Sequence, residues 1–104
     1  MNRIQAYLIV QKGLEEEKVF SLNDRVTIGR ETGNDICLTN RTVSRKHALV
    51  YRIKDQVIIE DLGGYNGTFV NGKRIKKTVL SSGDTLQMGK VILRFLMAFS
   101  FSDG

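Results

Sequence analysis

Proline is absent from the 104 residues, cysteine and histidine occur once each, and no long apolar run is present. Each scarcity excludes something. Proline would remove a ladder hydrogen bond from a central strand, so its absence leaves the chain open to sheet structure throughout. The single cysteine, Cys37, rules out an internal disulfide and fits a reducing compartment, so a cytoplasmic location is expected. One cysteine and one histidine, His47, cannot complete a structural zinc site, so neither a metal nor another cofactor is expected. No apolar stretch approaches the ~18 residues of a membrane-spanning helix. The N-terminus also lacks the charged, apolar and cleavage regions of a signal peptide, so a membrane partner is not expected.

What is present is charge of mainly one sign. Sixteen Lys and Arg against eleven Asp and Glu leave a net +5. Such a balance attracts anions at long range without naming them: nucleic acid, phosphopeptide and acidic peptide all qualify. Hydrophobic content of 41% and charged content of 26% place the chain among globular proteins rather than disordered ones. One domain over residues 1–104 is expected, with residues 100–104 fraying or marking where a longer protein was cut.

Apolar residues recur with period two. Ile4, Ala6, Leu8 and Val10 share one parity, as do Val91, Leu93, Phe95 and Met97. Further extended runs fall at 19–22, 26–30, 36–38, 47–53, 56–60, 68–70, 73–75 and 85–88. Residues 15–18 could begin a helix, but the extended pattern resumes at Val19. Lys54-Asp55, Asn71-Gly72 and the 81–84 stretch supply turns between runs. About eleven short strands with turns every 8–12 residues predict an all-β, antiparallel β-sandwich.

The stretch 61–72 holds four of the ten glycines and two Asn-Gly pairs. A glycine-dense loop between strands leaves backbone N–H groups available to a partner. Read with it, Gly29-Arg30, Asn34-Asp35, Ser44-Arg45, His47-Ala48, Asp61-Leu62-Gly63, Asn66-Gly67-Thr68 and Asn71-Gly72 resemble the forkhead-associated (FHA) domain, in the family's order across most of the chain. The resemblance implies an eleven-stranded sandwich whose loops at one end bind phosphothreonine on a partner protein, a Ser/Thr kinase or one of its substrates. It also implies that Arg30 and Ser44 contact phosphate, that Arg45 assists, and that Asn66 holds the peptide backbone. By the same resemblance His47 braces the loops, while Gly29, Gly67, Asn71 and Gly72 serve as scaffold.

The chemistry suits those residue types. A phosphothreonine carries about −1.5 to −2 charges and three strong acceptor oxygens. Arginine offers a planar fork of donors, and a serine hydroxyl adds a short neutral one. The sequence departs from the family at Gly64-Tyr65, where Ser and then Thr are usual. Tyr65 retains the backbone N–H, but its hydroxyl sits too far out to replace that of Thr, leaving a contact with the peptide as its alternative role.

Other classes compete for the same residues. Departure at Gly64-Tyr65 motivates a phosphate-independent interaction module of the same fold. The basic run 73–77, with Lys73, Arg74, Lys76 and Lys77, motivates nucleic-acid binding. It lacks the interleaved aromatics of a single-strand platform, and a solvated hairpin edge explains it more simply. Ser44 and His47, with Asp35 or Asp61, suggest a nucleophile, base and orienter, yet no nucleophile elbow or oxyanion partner accompanies them. The 63–68 loop has neither the Walker Gly-Lys-Ser/Thr nor a following helix. Catalysis is therefore the least favoured class. Cys37 and the C-terminal phenylalanines read as packing, with Phe99 and Phe101 as an alternative exposed patch.

Overall fold

The computed structural model describes the backbone of residues 2–101 and the side chains of residues 4–98. The patch expected from Phe99 and Phe101, like the tail 102–104, lies outside the described side chains. Eleven strands follow one another: β1 (Asn2–Lys12), β2 (Val19–Ser21), β3 (Arg25–Gly29), β4 (Ile36–Cys37), β5 (Ala48–Ile53) and β6 (Gln56–Asp61), then β7 (Thr68–Val70), β8 (Lys73–Ile75), β9 (Lys77–Leu80), β10 (Thr85–Met88) and β11 (Val91–Phe101). One sheet has the order β2-β1-β11-β10-β7-β8, the other β4-β3-β5-β6-β9. Among the described residues there is no helix, and 13–16 form bends.

Alternation drives the packing. Ala6, Leu8 and Val10 of β1 and Val91, Leu93 and Phe95 of β11 are all at most 3% exposed. They face Val26 and Ile28 of β3, Ala48 and Val50 of β5, and Val57 and Ile59 of β6 in one continuous core. Burying each large aliphatic or aromatic side chain contributes roughly 1.5–3 kcal/mol, and a one-residue slip would turn every such set outward. The pairing of β1 with β11 from Asn2↔Phe101 to Lys12↔Ile92 is the longest ladder, so the first and last strands close the domain together.

Two elements differ from expectation. Strand β4 runs parallel to β3, pairing Ile28 with Ile36 and Gly29 with Cys37. Asp35 causes this reversal: its Oδ2 accepts the Thr27 backbone N–H at 2.8 Å, while its own N–H donates to Thr27 Oγ1 at 3.0 Å. The chain is thereby folded back beside the strand it has just left. Strand β9 was not separable from the basic run. Residues 73–75 belong to one sheet and Lys77–Leu80 to the other, so the cluster marks a crossing between sheets.

Strand direction sorts the loops between two ends. Strand β3 finishes where β5 begins, and β6 finishes where β7 begins, so loops 30–35, 38–47 and 62–67 share one end, joined by the Gly89-Lys90 turn. At the other end, Arg52 donates from Nη1 to the Ile4 carbonyl at 2.6 Å and from Nη2 to the Leu22 carbonyl at 3.1 Å. It occupies the β1 edge that the three-residue β2 is too short to cover.

Candidate functional site

Gly29 sets the first contact. A Cβ there would run into the carbonyl oxygen of Arg45 and come within 2.7 Å of Asn34 Nδ2, so only glycine lets the two backbones meet. The Arg30 N–H donates to the Ser44 carbonyl at 3.0 Å, and the Glu31 N–H to the Arg45 carbonyl at 3.3 Å. These two bonds place Arg30, Ser44 and Arg45 in adjacent rows. Arg30 and Arg45 are exposed and, with Glu31, line an open cleft of about 480 Å³. A larger cleft, about 1070 Å³, lies at the far end around Arg52 and gathers none of these residues.

His47 ties the loops together from within. It is 0% exposed. Its Nδ1 accepts the Ser44 backbone N–H at 3.1 Å, and its Nε2 lies 2.8 Å from the Gly67 carbonyl oxygen. An accepting Nδ1 assigns the proton to Nε2, which therefore donates to Gly67. The ring packs directly on Gly64, where a Cβ would lie 2.5 Å from Nε2. With both nitrogens engaged by backbone and neither by the Ser44 hydroxyl, the nucleophile–base pairing of Ser44 with His47 is not formed.

The tip of the glycine loop is a turn closed by the Gly67 N–H donating to the Gly64 carbonyl at 2.9 Å, with Gly67 at φ +79°. Tyr65 and Asn66 occupy its centre. The Tyr65 N–H, expected to remain available to a ligand, instead donates to Ser44 Oγ at 2.9 Å. With that lone pair in use, the Ser44 hydroxyl hydrogen is left to donate elsewhere. Asn66 is exposed and donates from Nδ2 to the Thr42 carbonyl at 2.7 Å, which leaves Oδ1 as an acceptor. The Tyr65 side chain is 91% exposed.

Several clamps had no role assigned from sequence. Asn34 Nδ2 donates to the Glu31 and Arg45 carbonyls at 2.8 and 2.7 Å. Asp61 accepts the buried Thr68 hydroxyl at 2.7 Å and the Gly63 N–H at 3.2 Å. Asn40 Oδ1 accepts the Thr42 N–H at 2.9 Å and its hydroxyl at 2.6 Å, and Thr42 Oγ1 in turn accepts the Lys90 N–H at 2.8 Å. Short Asn, Asp and Thr side chains between strands were the available signal, because such residues bond to nearby backbone.

Asn71 and Gly72, expected as a turn and as scaffold, lie in the hairpin between β7 and β8. Their φ angles of 51° and 81° turn the β7–β8 hairpin, and Asn71 bonds to Asp84 at 2.9 Å and Thr85 at 2.9 Å. They secure that hairpin and the 81–84 turn rather than the loops around Ser44. The basic run is likewise divided. The Lys77 ammonium lies 5.8 Å from the Tyr51 ring centre, on the outer face of the second sheet. Hydrogen bonding to Tyr51, then the charges of Tyr51 and Glu60, hold its pKa above the ordinary lysine value. Cys37 is half-buried and its thiol donates to the Arg30 carbonyl at 3.3 Å.

Among the described residues no helix is long and apolar enough to cross a membrane. Over 92 residues the chain is 42% identical to the oxoglutarate dehydrogenase inhibitor of Corynebacterium jeikeium and 38% identical to the glycogen accumulation regulator GarA of Mycobacterium tuberculosis. Each match covers 88% of this chain, which spans 64% and 57% of the respective relatives. The solved structure of Mycobacterium tuberculosis EmbR in complex with a low-affinity phosphopeptide superposes with a TM-score of 0.82 at 28% identity, covering 96% of this chain and 26% of that one. The family model described as FHA domain matches residues 26–89, the span that contains every loop of the site. The chain belongs to the FHA-domain family.

Proposed function

We propose that the protein is a non-catalytic reader of phosphothreonine on a partner protein, acting in Ser/Thr kinase signalling from the cytoplasm. The observation that carries this reading is the convergence of four unspent groups at one loop end. These are the guanidinium forks of Arg30 and Arg45, the Ser44 hydroxyl hydrogen and the Asn66 Oδ1. Arg30 and Ser44 take phosphate oxygens, with Arg45 assisting. Asn66 accepts a peptide N–H beside the phosphothreonine. Tyr65 contributes its exposed side chain to the peptide and, through its N–H, aims the serine. Discrimination of Thr from Ser rests on room for one methyl group, roughly 1–3 kcal/mol in a fitted apolar site.

Each hydrogen bond to a charged group contributes roughly 1.5–3 kcal/mol, and association costs several kcal/mol. Three or four such bonds sum to roughly 4.5–12 kcal/mol before that cost, so the complex is weak and readily reversed, which suits signalling. The relatives named as a dehydrogenase inhibitor and a glycogen accumulation regulator support a regulatory role, and the partner proposed for it is a kinase or its substrate. The test is a phosphothreonine peptide library read by fluorescence polarisation. Arg30→Ala and Ser44→Ala should abolish binding while circular dichroism and melting stay native-like. Unchanged binding in both variants would refute the assigned site.

A second reading is a phosphate-independent interaction module. Its support is Tyr65, which projects 91% exposed from the loop tip while its N–H is already committed to Ser44. Equal affinity for phosphorylated and dephosphorylated forms of one ligand would establish it over the first.

A further inference from the structure

Thr42, half-buried in the 38–47 loop, has each of its polar groups engaged. Its N–H and its hydroxyl both donate to Asn40 Oδ1, at 2.9 and 2.6 Å, and its Oγ1 accepts the Lys90 N–H at 2.8 Å. Asn40 is anchored in turn, donating from Nδ2 to the Gly13 carbonyl at 2.8 Å. Three segments therefore lock at one side chain: the 38–47 loop, the Gly89-Lys90 turn and the chain just after β1. Gly89 permits the approach, since a Cβ there would overlap the Thr42 carbonyl oxygen and Oγ1. A β-branched side chain is stiff about χ1, which keeps the hydroxyl between its two partners. One bond leaves this junction for the glycine loop: the Thr42 carbonyl accepts Asn66 Nδ2 at 2.7 Å.

We propose that Thr42 is a positioning residue that fixes which end of the Asn66 amide meets the ligand. The inference rests on the reading proposed above, in which Asn66 accepts a peptide N–H, and it names the residue that makes Asn66 an acceptor. A terminal amide turns broadly about χ2, so an unheld asparagine presents donor and acceptor alike. A backbone carbonyl can only accept, so the Thr42 oxygen holds Nδ2 and leaves Oδ1 for the partner. The phosphate contacts are held by other residues. Val43, 1% exposed, is anchored in the core between Thr42 and Ser44. Ser44 is fixed by His47 through its N–H and meets the Tyr65 N–H through its Oγ. Removing the Thr42 hydroxyl therefore disturbs the grip on peptide backbone and spares the grip on phosphate.

The experiment compares wild type, Thr42→Val, Thr42→Ser and Asn40→Ala in two measurements. In the free protein, NMR follows solvent exchange of the Asn66 side-chain amide. Thr42→Val should lose its protection, and Thr42→Ser, which keeps the hydroxyl, should restore most of it. The second measurement titrates a phosphothreonine peptide and, separately, the amino acid O-phosphothreonine. Thr42→Val should weaken the peptide by about tenfold and the amino acid by less than about twofold, and it should add nothing in an Asn66→Ala background. Asn40→Ala withdraws the acceptor of both Thr42 donors and should move both measurements in the same direction. Unaltered amide exchange in Thr42→Val, or an equal loss of affinity with and without Asn66, would overturn the proposal. Equal weakening of peptide and amino acid would also overturn it, because that is what a purely structural threonine produces. Failure of wild type to bind any phosphothreonine peptide would overturn the reading function instead, and amide exchange in the free protein would still decide the role of Thr42.

Discussion

Replacing His47 by Ala is the sharpest test of how the site is held. The ring is wholly buried and joins the 38–47 loop to the 62–67 loop through Ser44 and Gly67. Alanine leaves the Ser44 N–H and the Gly67 carbonyl without partners. A buried group left unsatisfied costs about 1–3 kcal/mol, so the pair amounts to roughly 2–6 kcal/mol before any water enters the vacated space. A central loss of about 3 kcal/mol is expected. At about 4–8 °C per kcal/mol for a domain of this size, melting should fall by roughly 12–24 °C. Total stability of about 5–15 kcal/mol leaves the variant folded at room temperature. Urea unfolding followed by far-UV circular dichroism measures the loss directly. The design includes His47→Asn, whose short amide can still accept the Ser44 N–H but cannot reach Gly67, and it should recover part of the loss. Phosphothreonine-peptide affinity should fall in the same order, with Ala weaker than Asn and Asn weaker than His. A loss below about 1 kcal/mol for His47→Ala would refute the bracing role, as would identical behaviour of Ala and Asn.

Three further substitutions separate backbone approach, edge protection and ligand contact. Gly29→Ala should cost about 1–3 kcal/mol by scanning calorimetry and weaken peptide binding, because the added Cβ meets the Arg45 carbonyl and pushes Arg30 away from Ser44. Arg52→Ala removes the bonds to the Ile4 and Leu22 carbonyls, so a loss of about 2–3 kcal/mol is expected. It also uncovers the β1 edge, and sedimentation velocity should then detect more self-association than in wild type. Tyr65→Ala should change stability by less than about 0.5 kcal/mol, since the side chain is 91% exposed and the bond to Ser44 comes from backbone. If phosphothreonine is the ligand, Tyr65→Ala should keep the dependence of binding on phosphate; complete loss of binding would instead place the tyrosine side chain at the centre of recognition.

Period two made most of the sandwich legible. Leu8, Leu93 and Phe95 could be assigned to the core because each side chain alternates with a polar or half-buried neighbour. Asn71-Gly72 announced its hairpin through positive φ, which both residues adopt. Strand β9 was hidden because its burial pattern has a single buried residue, Leu80, and begins inside a run of lysines. The direction of β4 was hidden for another reason. Parallel pairing across a six-residue loop depends on Asp35 reaching Thr27, a tertiary bond with no periodic signature. The site divides in the same way. Arg30, Ser44, His47 and Asn66 fall within a motif order that sequence displays, and the loops do bring them to one end. The bond from the Tyr65 N–H to Ser44 escaped because it joins residues 21 apart and has no local pattern.

The polar side chains at the loop end can be sorted by what they already touch. Asn34, Asp35, Asn40, Thr42, His47 and Asp61 bond to backbone or to nearby Asn and Thr side chains. Ser44 and Asn66 spend half, each keeping one group for a partner. Arg30 and Arg45 are exposed and keep their guanidinium edges. Ordering a rotamer-rich side chain on binding costs about 0.5–1.5 kcal/mol, and moving the loops would add more. A scaffold that settles its own loops beforehand limits that cost to the arginines. It also fixes where charge can be accepted, since Arg30 and Arg45 line one open cleft next to Ser44. Because the phosphate carries about −1.5 to −2 charges, adding salt should weaken a phosphothreonine peptide more steeply than its dephosphorylated form.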